Sequence, residues 1–338
     1  MVHPARSKIK MRIDSLRVRI WFGWLQLVSG LTSAYALEKC LVPEGYARGR
    51  DGALSHRNRM SRYAQGRHVP RPALVERAEA LFPGGRAFLE HPLWQILDPE
   101  QNVVSQAAGW ISALDLDVQR LLRNARPKSA GQVGTRVRVT FTLIERLVRI
   151  GSLDALAAIA LLLREASIDN NASAMFLCAH SAWRVLLLAG SASPLFEVLP
   201  ELAKVSAAAL LDQVTYRGEK VAIGDAPIMI YDDILRSHCL RLEDAGKLRP
   251  DHASWVRERL RLFHGELGTD MLFALTMPTV ATPELEVDAA ACLRFLHRKI
   301  LRLQAIRYCC DVRLSNRRFE EDAFLNDPEG RWPALEAT

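Results

Sequence analysis

Residues 55–85, SHRNRMSRYAQGRHVPRPALVERAEALFPGG, carry the punctuation that decides the fold. From His56 to Gln65 there is neither proline nor glycine. Met60, Tyr63 and Ala64 recur there at helical spacing while Arg57, Asn58, Arg59 and Arg62 fall elsewhere, so the stretch predicts a helix with a narrow apolar stripe and a basic face. Gly66 can supply the positive φ that ends such a helix, and Pro70 and Pro72 prevent its continuation. Leu74, Ala78 and Leu81 then restore helical periodicity until Phe82-Pro83-Gly84 stops it. The reading is two short helices joined by a glycine–proline turn, with the basic one presented over a core-forming one.

Charge supports a special role for this end of the chain. The 338 residues carry a formal net charge of +7. Met1 to Arg86 holds 16 Lys and Arg against 6 Asp and Glu, a net of +10, whereas Ala87 to Thr338 holds 29 against 32, a net of −3. Clustered cations of this kind favour a polyanion partner, because releasing the counterions condensed on a phosphate chain rewards cations that act together. With 49% hydrophobic residues the chain has ample material for a core, which argues against global disorder.

Cys40, Cys178, Cys239, Cys292, Cys309 and Cys310 form no CxxC pair and no regular spacing. They read as reduced, mostly buried thiols of a cytoplasmic protein, with no structural zinc site expected. Near the N-terminus six basic residues from Arg6 to Arg19 precede the apolar run Ile20 to Leu25, as in a signal peptide. Gln26 and Ser29 interrupt that run, and Trp21, Phe22 and Trp24 suit a packed helix, so the expectation is an ordinary helix over Leu16 to Val28. No membrane span is expected, since Ala172 to Gly190 contains His180 and Arg184.

In chain order, Thr32 or Ser33 can cap a second helix, Ala34 to Cys40. A glycine- and arginine-rich loop follows at 46–53, containing Arg48 and Arg50. His91-Pro92-Leu93-Trp94 is an aromatic segment in which Trp94 reads as core or interface, with base stacking as the sharper alternative. Residues 98–102, DPEQN, read as a linker. Beyond them helices are expected at 103–124, 135–150, 153–165, 172–188, 194–214, 227–244, 252–263 and 285–310. Short strands remain open at 137–141 and 221–223, and no internal repeat is found. The expectation is an all-α protein with a basic helix-turn-helix-like domain at 1–97, an irregular α-helical bundle at 103–311 and a polar tail at 312–338.

The pattern Met60, Ser61, Arg62, Tyr63, Gly66, Arg67, His68, Pro70, followed by the apolar helix 73–81, resembles the third and fourth helices of the lambda-repressor-like helix-turn-helix family. The resemblance covers about thirty residues. It implies DNA binding, with Arg57, Asn58 and Arg59 near base edges and Arg62 and Arg67 near phosphates, and Arg48 and Arg50 complete the expected contact set. It also implies a homodimer reading paired half-sites. Here 41–53 replaces the family's short turn before that helix. The same basic helix could instead dock an acidic protein partner. No phosphate loop, HExxH or GxSxG occurs, so no enzyme, cofactor or metal is expected. Asp232, Asp233, His238 and Cys239 share a stretch but lack a ligand-set spacing.

Overall fold

The computed structural model describes residues 4–43, 59–124, 138–190, 192–224, 226–249 and 251–315. About 74% of it is helical, which places the protein in the all-α class with a small sheet as a local addition. The chain divides into two compact units, 1–214 with 223–225, and 215–222 with 226–338. The division therefore does not fall at 98–102.

The first unit is built on α1 (Pro4–Ser29), whose apolar residues Val18, Trp21, Phe22 and Leu25 enter a core with Leu37 and Leu41 of α2 (Ala34–Leu41). Met60 and Tyr63 of α3 (Arg59–Ala64) and Val75 and Ala78 of α4 (Pro72–Leu81) join it, as does Leu89. Ser33 caps α2, its Oγ accepting from Ala36 N–H at 3.1 Å. Short helices α5 (Gly85–Leu89) and α6 (Pro92–Leu97) follow. Trp94 is core: it is 3% exposed and its indole N–H donates to Phe88 C=O at 2.6 Å, which leaves no face for a base.

The stretch expected as a linker is a clamped turn. Arg164 donates to the carbonyls of Ile96 and Asp98, each at 3.0 Å, and of Gln101 at 2.8 Å. Its own helix, α10 (Leu153–Ile168), is buried along nearly its whole length, capped by Ser152 and preceded by the left-handed Gly151. The helix expected over 103–124 is two, α7 (Val103–Ser112) and α8 (Leu116–Asn124), because the Asp115 carboxylate accepts from Asp117 N–H and starts a new helix. Thr140 caps α9 (Phe141–Ile150), so the described part of 137–141 is a helix start rather than a strand. α11 (Ala172–Gly190) is long and apolar enough by composition to cross a membrane; it packs on α10, and its Arg184 pairs with Glu145 of α9. α12 (Leu199–Ala209), flanked by short 3-10 turns, replaces the single helix expected at 194–214 and lies against α1.

The second unit opens with an antiparallel hairpin of β1 (Thr215–Tyr216) and β2 (Glu219–Val221), turning at Arg217 and Gly218, both with positive φ. β3 (Thr279–Ala281) pairs with β2 in the register Glu219↔Ala281. Around it lie α13 (Ile228–Asp244), α14 (His252–Phe263), α15 (Thr269–Ala274), α16 (Pro283–Val287) and α17 (Ala289–Ser315). The helix expected at 285–310 breaks at Asp288, whose carboxylate accepts from Ala291 N–H to start α17.

Candidate nucleic-acid interface

α3 is fixed at both ends by its sequence. At its start, the buried Glu38 carboxylate of α2 accepts from the backbone N–H groups of Arg59 at 3.2 Å and Met60 at 3.5 Å. An anion here stabilises the helix because the first N–H groups lack intrahelical partners and carry the positive end of the helix dipole. At its end, Gly66 sits at φ +65, with its N–H on Tyr63 C=O and the Arg67 N–H on Arg62 C=O, both at 2.9 Å. This pair of bonds is the Schellman arrangement. Met60 and Tyr63 turn inward, and Tyr63 meets the edge of Trp21 at 5.9 Å. Anchoring those two leaves Arg62 exposed and Arg59 half-buried.

After Gly66 the chain runs through an extended Arg71 into α4, whose Pro72 stands in the first turn. Between α3 and the start of α4 lies a groove of about 490 Å³. Arg59, Arg62, Arg71, Arg77 and His68 line it over an apolar floor that includes Val42 and Leu74. The arginines do different work. Arg77 donates to Leu41 C=O at 2.9 Å and so closes the end of α2. Arg59, Arg62 and Arg71 make no salt bridge among the described residues. Burial, opposed by Arg59 and Arg71, holds the Tyr63 phenol above its ordinary pKa, so it stands neutral under the cations.

Of the residues expected to contact DNA, Arg59 and Arg62 line the groove and Arg67 is exposed on the turn beside it. Arg48, Arg50, Arg57 and Asn58 lie outside the described residues. Sequence reasoning missed Arg71 and Arg77. The signal for Arg77 was its i+3 and i+4 spacing from Leu74 and Ala73, which line the same groove; for Arg71 it was its place between two helix-breaking prolines.

Elsewhere, the stretch holding Asp232 and His238 is not a ligand set. Asp232 is fully buried, and His238 is hydrogen-bonded to Glu258 at 2.9 Å. No group of three or more His, Cys, Asp or Glu that could hold a metal occurs among the described residues. Comparison of the chain with family models, with curated proteins and with solved structures returned no match.

Proposed function

We propose that the protein binds DNA through the groove between α3 and α4 and acts as a bacterial or phage-type transcriptional regulator. The helical remainder would serve self-association or partner sensing. The observation that carries this reading is a concave site holding Arg59, Arg62 and Arg71 without salt bridges, in the region of the chain with a net charge of +10. Guanidinium groups present forked donors to phosphates and to guanine edges. Holding them unpaired costs stability through mutual repulsion, and an anionic ligand offsets that cost.

The test is a salt titration of binding to a mixed-sequence duplex. The wild type is expected to show a steep fall of affinity with salt. In the triple variant Arg59→Ala/Arg62→Ala/Arg71→Ala the slope of log K against log salt flattens by roughly 2–3, about one per lost phosphate contact. Absent binding at low salt, or an unchanged slope in the triple variant, sinks the reading. The apolar floor at Val42 and Leu74 favours one alternative, a non-enzymatic adaptor that docks an acidic protein segment. Saturable binding of an acidic peptide with no affinity for duplex DNA would establish that instead.

A further inference from the structure

A second basic cleft, of about 100 Å³, lies between α1 and α12. Arg12, Ser15, Leu16 and Arg19 line it from α1, and Glu201, Lys204 and Val205 from α12. The buried Leu16 and Val205 give it an apolar base. Arg19 pairs with Glu201 at 3.4 Å, which spends one cation on the single acid in the cleft. Arg12 and Lys204 are exposed and make no salt bridge among the described residues. The cleft thus keeps two uncompensated positive charges in a space too small for a base pair but suited to a phosphate group.

Its position relative to the groove is fixed by one close contact. Gly66 lies so near Ser15 that an added Cβ would come within 2.2 Å of the Ser15 Oγ and 2.5 Å of its carbonyl oxygen. Ser15 lines the cleft, and His68, two residues beyond Gly66, lines the groove. Arg67, between Gly66 and His68 in the chain, is exposed. Exposed cations thus border both sites, Arg62 and Arg71 the groove and Arg12 and Lys204 the cleft, with the Gly66–Ser15 approach linking the two.

We propose that this second cleft is a phosphate-binding site for the backbone of the same duplex, with Arg12 and Lys204 as its contact residues. The inference rests on the DNA-binding reading. It adds that α12, more than a hundred residues after the basic turn, forms part of the footprint and fixes the angle at which the duplex crosses α3.

The experiment uses the full chain and a mixed-sequence duplex, comparing wild type, Arg12→Ala/Lys204→Ala, and the charge-matched control Lys247→Ala/Arg249→Ala on an exposed turn of the other unit. The expected result is a slope of log K against log salt about 1.5–2 shallower in the cleft variant, with affinity roughly tenfold or more lower at about 0.1 M salt, and a control that matches wild type. Equal losses in the cleft variant and the control would show a net-charge effect and overturn the site. A cleft variant that matches wild type, while Arg59→Ala/Arg62→Ala/Arg71→Ala still loses affinity, overturns this inference and leaves the groove reading standing. If the wild type does not bind duplex DNA at low salt, both fall together.

Discussion

The arginines of the groove and those of the second unit are the same side chain in opposite circumstances. Arg59, Arg62 and Arg71 are displayed on a backbone that is itself thoroughly bonded, yet no carboxylate neutralises them among the described residues. In the second unit, Arg261 bridges Glu258 at 2.9 Å and Glu266 at 3.1 Å, Arg259 lies over Trp255 at 5.0 Å, and Arg302 lies over Tyr231 at 5.3 Å. Arg298 of α17 pairs with Glu219 of β2. There Arg259 and Arg261 brace their own helix and its end, while Arg298 and Arg302 tie α17 to β2 and α13. Positive charge with a partner inside the fold is architecture; positive charge displayed without one is what the DNA-binding proposal rests on.

The largest way to break this contrast is to remove the support beneath the groove. Trp21 is fully buried and meets Tyr63 of α3, while a Cβ on Gly85 would lie 3.3 Å from its ring. Trp21→Ala is expected to cost about 3–5 kcal/mol through lost burial and the cavity left behind. Denaturant unfolding of the full chain should show an early transition, and duplex affinity should fall with it. Retained affinity in such a destabilised variant would show that the groove does not depend on its scaffold.

Next comes a charge in the second unit that lacks what its neighbours have. Asp232 is fully buried, and neither carboxylate oxygen has a hydrogen-bond partner among the described residues. Burial pushes its pKa up to about 6, with Arg259 and Arg236 pulling down and Asp233 pushing up. The folded pKa lies above the unfolded value of about 3.9, so the folded state holds the proton more tightly. The stability this supplies is full below about pH 3.9 and is lost as pH rises through 6, a swing on the order of 2–3 kcal/mol. Asp232→Asn cannot ionise. Its stability relative to wild type should therefore rise from pH 4 to pH 7.5 in paired denaturant curves; a pH-independent difference would mean the carboxyl titrates in the fold as it does in the unfolded chain, so that burial does not raise its pKa.

A smaller effect isolates the turn. Gly66→Ala forces a side chain into a left-handed conformation and against the Ser15 backbone, at a cost of about 1–3 kcal/mol. Because the turn joins the two walls of the groove, duplex affinity is expected to fall by more than the stability loss alone explains when measured well below the midpoint of unfolding.

Much of this region was legible because its determinants are local. The stop at Gly66, the cap at Ser33 and the prolines before α4 each act within one turn of the chain, and all were readable. What escaped depends on distant partners or on very short elements. The linker reading of 98–102 failed because the arginine that clamps it comes from α10, more than sixty residues on. The hairpin at 215–221 has strands of two and three residues, too short for alternation to show. The helix breaks at Asp115 and Asp288 each rest on one capping carboxylate inside an otherwise continuous apolar period. In the groove, Arg59 and Arg62 could be assigned from the face they occupy. Arg71 and Arg77 carried only weak local cues, since their place in the groove depends on where α4 lies against α2.

The finest comparison sets one arginine from each region side by side. Arg298 is more than half exposed and its partner Glu219 is largely covered, also accepting from the Thr279 hydroxyl at 3.0 Å. Solvent screening keeps such a pair to roughly 0.2–1 kcal/mol, so Arg298→Ala should lower stability by no more than that and leave the salt dependence of DNA binding unchanged. Arg62→Ala should do the reverse, changing stability by less than about 0.5 kcal/mol while flattening the salt slope by about one. Paired measurements of unfolding and binding on the two variants separate the roles. If Arg62→Ala destabilises and Arg298→Ala weakens binding, the distinction between structural and displayed cations is misplaced, because the same residue type would be doing in each region the work assigned to it in the other.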